Sequence, residues 1–372
     1  MKKIVFFNSS IQMGGPARVI NLWCNYFSNK QYELEIVSNI DTPVFYDFDD
    51  SVKYSVLGID KFRQKSKLKT LCKIYFFLKN RRNEVLIFNK GLYIGYLYIL
   101  KQLRLLDNSL NIVYVVHGGT SDFKIIYNNL TIFMMHKTFK HIIVSYDDYD
   151  DFNKNVPKSI KRKFIDTLIK NNFSNVRPKI TYLLNPATFK SSKTPTYDEK
   201  VVLAIGRLDF VKGFDLLIEA WGIIANQFSD WSLRIVGSGE EENNLRNIIK
   251  ELKLESNIEM IPSSFDVKTL FLNSSVYAMS SREEGLPMVM IEAMECGLPI
   301  VAFKSIGATF LVNENENGYL SEIGDINDLA KNLEKLIVDK QLRQKIGFKS
   351  KKMAEQYHIE NIASPWNHIL SD

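Results

Sequence analysis

The sequence predicts an α/β protein built from two doubly wound parallel-sheet domains. Three observations lead there. Short β-rich runs alternate with segments of helical periodicity along nearly the whole chain. The alternation breaks once, at a polar, proline-containing stretch over 191–200, and each half opens on strand, glycine turn and helix. Finally, 372 residues leave room for two domains of ordinary size, each with its own core. The expected division is 1–186 and 187–353, with a last helical segment over 354–372.

In the first half, residues 3–8 form a β-rich run. Met13-Gly14-Gly15-Pro16 follows, then an apolar helical pattern through Val19, Ile20, Leu22, Trp23, Tyr26 and Phe27. Paired glycines let backbone approach a ligand closely. Further strands are expected near 33–38, 52–57, 85–88, 111–116, 142–145 and 180–184, with helices between them. His117 directly follows the strand ending VYVV, and ligands in open α/β sheets collect at such carboxyl ends. The second half opens with VVLAIG at 201–206, then Arg207, Lys212, Gly213 and the helix FDLLIEAW. Two cations bracketing the first turn of a helix suit a diphosphate. LRIVGSGEEENNL repeats the unit around Gly237 and Gly239, and NIEMIPSS supplies another strand.

Residues 280–303, SSREEGLPMVMIEAMECGLPIVAF, organise the rest. Pro287 is expected at the first helical position, where its missing N–H costs nothing. The helix runs through Met288, Val289, Met290, Ile291, Ala293 and Met294, and Gly297 closes it. Glu292 lies in the middle of this mostly apolar helix, with no Lys or Arg three or four residues away. A buried carboxylate there needs hydrogen-bond donors. Glu284 stands eight residues earlier in the loop, and between the two acids the unpaired amides of the first helical turn form an anion site. An acid seeking hydroxyl donors beside amides seeking a phosphate suits a nucleoside diphosphate.

Composition adds bounds. The 45% hydrophobic and 24% charged fractions are those of a soluble globular protein. MKK followed by IVFF begins like a leader peptide, but the apolar run stops at Asn8. No stretch approaches the roughly 20 apolar residues a membrane span needs. Three scattered cysteines lack metal-ligand spacing and fit a reduced, cytoplasmic protein. Residues 1–190 carry 29 Lys and Arg against 15 Asp and Glu, while 191–372 carry 19 against 27. The basic half expects a polyanionic surface. Residues 61–82 hold nine cations and no acid, with Leu68, Leu71, Cys72, Tyr75 and Leu78 at helical spacing. Such a helix reads as an anionic-membrane contact through Lys65, Lys67, Lys69 and Lys73, and a second basic tract spans 154–179. Nucleic acid is disfavoured because the aromatics lie in the apolar stripe, not among the cations.

The spacing of Glu284 and Glu292 resembles the E-x7-E signature of retaining GT-B glycosyltransferases, specifically the large family 4. Gly14-Gly15-x-x-Arg18 resembles that family's entry loop, with Ala17 where a Glu is usual. Gly206-Arg207, followed by Lys212-Gly213, matches closely, and residues 305–310 resemble its G-A-x-x-L loop. Matches run from Gly14 to Trp366.

The resemblance implies two Rossmann-like domains facing across a cleft, donor on the second and acceptor on the first. It implies that Glu292 grips ribose hydroxyls, that Glu284 and His117 contact the donor sugar, and that Arg207 and Lys212 stabilise the diphosphate. Gly14, Gly15, Gly206, Gly237, Ile261 and the segment Gly285, Leu286, Pro287, Met288, Val289 would line the donor site, with Arg18 on the acceptor side. The implied reaction moves a hexose or N-acetylhexosamine from a nucleotide sugar, with UDP the expected carrier, to a hydroxyl of a membrane-associated, lipid-linked saccharide. Retention of configuration, no metal, no cofactor, and a place in bacterial O-antigen or capsule synthesis at the inner face of the plasma membrane complete that expectation. Asp47-Phe48-Asp49 and Asp148-Tyr149-Asp150 spell the D-x-D of the other glycosyltransferase fold, but both read as solvated loops. A GT-B epimerase or phosphorylase, or a non-catalytic sugar-nucleotide binder, remains the alternative.

Overall fold

The computed structural model describes residues 2–8, 14–59, 66–81, 83–89, 92–107, 109–116, 134, 138, 139, 141–144, 179–264 and 266–371. The chain divides into two compact units, Met1–Pro186 with Ile359–Asp372, and Ala187–His358.

The first unit runs β1 (Lys3–Asn8), α1 (Gly15–Ser28), β2 (Glu33–Ser38), β3 (Lys53–Val56), α2 (Lys67–Leu78), β4 (Glu84–Phe88), α3 (Leu92–Gln102), β5 (Asn111–Val116), β6 (His141–Val144) and β7 (Lys179–Tyr182). Its sheet order is β3-β2-β1-β4-β5-β6-β7, and every pairing is parallel. Strand order therefore reverses between β1 and β4. Both strands are covered on their two faces, which is why they read as unbroken apolar runs.

The second unit repeats the plan. β8 (Val201–Ile205) leads through a 3-10 turn (Phe210–Lys212) to α4 (Phe214–Ile224), β9 (Ser232–Val236), α5 (Glu242–Glu251), β10 (Ile258–Ile261), α6 (Val267–Leu272) and β11 (Val276–Met279). Then come α7 (Met288–Glu295), β12 (Ile300–Phe303), α8 (Ile306–Leu311), β13 (Gly318–Ser321), α9 (Ile326–Val338) and α10 (Lys340–Ala354). The sheet order is β10-β9-β8-β11-β12-β13, all parallel, so the reversal falls between β8 and β11. Leu217, Trp221, Leu233, Ile235, Val301, Phe303 and Leu333 are part of its core.

The tail, α11 (Ile359–Ile362) and α12 (Ser364–Ser371), belongs to the first unit. Trp366 lies 5.4 Å from the Trp23 ring and 5.3 Å from the Phe27 ring. Asn111 Nδ2 donates to the Ile369 carbonyl at 3.2 Å.

Two local expectations need correcting. Pro287 is the N-cap of α7 with ψ 107°, and Met288 is the first helical residue. On α2, the buried residues are Thr70, Ile74 and Leu78, while Leu68 and Cys72 face solvent. Thr70 turns inward because its hydroxyl donates to the Ser66 carbonyl, so its polarity is satisfied within the helix's first turn.

Candidate functional site at the second unit's strand reversal

Ligands in doubly wound sheets bind beyond the carboxyl ends of the strands where the order reverses. In the second unit those strands are β8 and β11, and the loops after them carry Arg207, Lys212 and Glu284.

The loop after β8 is fixed by its own residues. Asp209 accepts from the Lys212 amide at 3.1 Å and pairs with the Arg207 guanidinium. The Arg207 side chain is itself 75% exposed, so its charge is available to a ligand. Gly213 adopts φ 64°, and a Cβ there would sit 2.2 Å from the Ser280 carbonyl oxygen. Only glycine satisfies both demands. Across that contact, Ser280 Oγ donates to the Lys212 carbonyl at 3.1 Å. Arg282 donates to the Phe210 carbonyl at 2.7 Å, grips Asp215 with two bonds of 2.9 and 2.6 Å, and lies 4.0 Å from the Phe210 ring centre. The guanidinium fork thus staples the two loops together.

The stapling brings Lys212 Nζ into an ion pair with Glu284 Oε1. Ser281 Oγ donates to the same oxygen at 2.7 Å. An ammonium has three donors, so Lys212 can keep Glu284 and still reach a phosphate. Gly206 and Gly237 touch: a Cβ on Gly237 would fall 1.9 Å from the Gly206 oxygen. The Gly237 amide in turn donates to the Ile261 carbonyl at 3.0 Å. The Gly307 amide donates to the Glu284 carbonyl at 3.1 Å, and a Cβ on Gly307 would meet the Gly285 oxygen at 2.1 Å.

Leu286 is buried, whereas Met288 and Val289 at the start of α7 are half-buried. Among the described residues no side chain caps this helix, which leaves its first amides available to an anion. Glu292 is half-buried rather than buried, and Thr188 Oγ1 donates to its Oε1 at 2.7 Å. The buried Tyr277 phenol senses both acids: burial first, then the charges of Glu284 and Glu292, raise its pKa well above the usual value of 10.0.

In the first unit, Gly14 has φ 155°, and its amide donates to the Tyr46 hydroxyl at 3.1 Å. The Arg18 guanidinium stands 5.0 Å from the Tyr46 ring centre. Gly15 is exposed at the start of α1. Lys67 and Lys69 are exposed on α2, while Lys73 donates to the Gly58 carbonyl. His117, Lys65, Asp148, Asp150 and residues 154–178 lie outside the described residues. Asp49 accepts from the Ser51 amide at 3.0 Å, and the Asp47 carbonyl accepts from Asn21. Among the described residues there is no group of three His, Cys, Asp or Glu able to hold a metal, and no helix long and apolar enough to cross a membrane.

Sequence reasoning missed Asp209, Ser281, Arg282, Tyr46 and Thr188. Asp209 was findable, because it precedes Lys212 by three residues, the spacing of an N-cap. Thr188 left no such signal, being 104 residues from its partner.

Two parallel-sheet α/β units, the second bringing Lys212 and Glu284 together at its strand reversal, are the architecture of a GT-B fold. Residues 187–353 match the family described as glycosyl transferases group 1. An uncharacterized glycosyltransferase of Haemophilus influenzae is 32% identical over 385 residues, covering all of both chains. The chain therefore belongs to the group 1 glycosyl transferases. It is also similar to the amylovoran biosynthesis glycosyltransferase AmsD of Erwinia amylovora, 26% identical over 100% of this chain and 99% of AmsD. Among solved structures, a mutant of S. aureus TarM in complex with fondaparinux, α-GlcNAc-glycerol and UDP superposes with TM-score 0.76. It is 16% identical and covers 100% of each chain, a likeness of fold.

Proposed function

We propose that this glycosyltransferase moves a hexose or N-acetylhexosamine from a UDP-sugar to a hydroxyl of a lipid-linked saccharide, with retention, as a family 4 enzyme in bacterial surface-polysaccharide synthesis. The observation that carries the reading is the Lys212–Glu284 ion pair, held between the two reversal-point loops beside the uncapped start of α7. AmsD, named for amylovoran biosynthesis, supports a polysaccharide role. TarM in complex with UDP supports the carrier.

In this reading the α7 amides and the Lys212 ammonium receive the diphosphate, with Arg207 beside them. Glu284 orients the sugar, and Glu292 accepts from the ribose hydroxyls. The bond from the anomeric carbon to the β-phosphate oxygen breaks, and a bond to the acceptor oxygen forms on the same face. The acceptor proton passes to the departing phosphate. No protein nucleophile takes part. The protein contributes positioning and charge stabilisation, which act most strongly where the leaving group gains charge.

The acceptor is assigned to the first unit with Arg18 at its site, His117 joins Glu284 in holding the donor sugar, and Lys65, Lys67, Lys69 and Lys73 are assigned to contact with an anionic membrane at the cytoplasmic side. Exposed Leu68 and Phe76 on α2 add apolar area beside those cations.

The test is a panel of UDP- and GDP-sugars incubated with the protein, with and without lipid-linked acceptor, while free nucleoside diphosphate is followed. Acceptor-dependent UDP release is expected. A protein that binds neither UDP nor GDP in calorimetry would overturn the reading.

A further inference from the structure

The two strands of chain that join the units are both fastened to α7. Just after the first crossing, Thr188 Oγ1 donates to Glu292 Oε1 at 2.7 Å, and the Ser191 amide donates to Glu295 Oε1 at 2.8 Å. Just before the second crossing, His358 Nε2 lies 3.0 Å from Glu295 Oε2. The Ala187 amide donates to the Tyr357 carbonyl at 2.8 Å, tying the two strands to each other. Glu292 and Glu295 are one helical turn apart, so they share a face. Glu295 is 3% exposed and serves the crossing segments on both of its oxygens. Glu292 is half-buried and belongs to the donor site described above.

We propose that Thr188 is a positioning residue for the nucleoside: its hydroxyl fixes the Glu292 carboxylate in the orientation that receives the ribose hydroxyls of the donor. This rests on the nucleotide-sugar reading of Glu292. An ionised carboxylate has acceptor capacity for about four donors, so the Thr188 hydroxyl and two ribose hydroxyls can share it. A free Glu side chain rotates about three bonds and loses that freedom when it binds. A hydrogen bond already in place removes part of that loss before the ligand arrives. The Thr188 backbone is suited to the task because neighbouring amides at 187 and 191 are both hydrogen-bonded. Glu295 thus acts indirectly, by holding the segment that presents the hydroxyl.

Calorimetric titration of the full chain with UDP and with 2′,3′-dideoxy-UDP tests this. Wild-type protein prefers UDP. Thr188→Val, which keeps the shape and removes the hydroxyl, weakens UDP about tenfold and leaves dideoxy-UDP unchanged, because only UDP uses the carboxylate. Thr188→Ser restores the preference. Equal loss of both ligands, or UDP affinity within about twofold of wild type, overturns the role of Thr188. Glu292→Ala separates the two levels. If it keeps the preference for UDP, the ribose assignment falls and Thr188 falls with it; if it loses the preference while Thr188→Val does not, only Thr188 falls.

Discussion

Each unit reverses strand order beside its first strand, and a glycine turn follows that strand in both, but the two turns are built differently. In the second unit the turn is sterically locked. An added Cβ at Gly213 in that turn, or at Gly237, Gly239 and Gly307 in other segments of the unit, would come within 2.2 Å of a backbone oxygen. In the first unit, no atom of the described residues lies within 4 Å of a Cβ added at Gly14 or Gly15, and Gly14 is held by hydrogen bonds with the Tyr46 hydroxyl and the Arg18 amide. The difference teaches that equal topology does not require equal rigidity. A site that must hold a diphosphate benefits from donors fixed before the ligand arrives.

The sharpest way to break this comparison is Gly213→Ala. The new methyl clashes with the Ser280 carbonyl and forces an L-residue to positive φ, so a loss of about 3 kcal/mol or more of stability is expected. Thermal melting measures it, and an unchanged midpoint would refute the locked turn. Lys212→Ala comes next: turnover falls about 100-fold or more because a key charge stabiliser is removed. Initial rates at saturating donor check it, and near-normal turnover would retire Lys212 from the chemistry.

A smaller effect, confined to low pH, belongs to the first unit. Burial opposes ionisation of Glu35, yet hydrogen bonds from Arg81, Lys3 and Ser55 outweigh it and hold its carboxyl at about 2. The unfolded carboxyl, near 4.5, takes up a proton first as pH falls. Glu35 therefore contributes full stability above about 4.5 and loses it progressively toward about 2. Melting midpoints followed down that range should drop, and Glu35→Gln should flatten the drop. Least of all, Gly15→Ala should shift stability by about 0.5–1 kcal/mol at most, and in the favourable direction, since it sits exposed at a helix start. A strong loss there would show the first unit's loop to be as tightly packed as the second's.

Much of the second unit was legible because its signals are local. Gly297 closes α7 with φ 83°, as a glycine after an apolar helical run should. Charged residues after β8 and β11 were visible as strand-end cations and acids. The facing of α2 was not legible, because Thr70 enters the core with its hydroxyl bonded to the Ser66 carbonyl one turn back, a choice that polarity alone conceals.

By itself the sequence determined the two α/β units, the glycine turns, and the cations and acids that follow the strands. Those follow from periodicity, capping and turn chemistry, which act over a few residues. Only the tertiary structure decided that Lys212 meets Glu284 across 72 residues and that Thr188 meets Glu292 across 104. Contacts of that separation depend on which strands lie side by side. Parallel pairing of β8 with β11, not any local pattern, sets that arrangement.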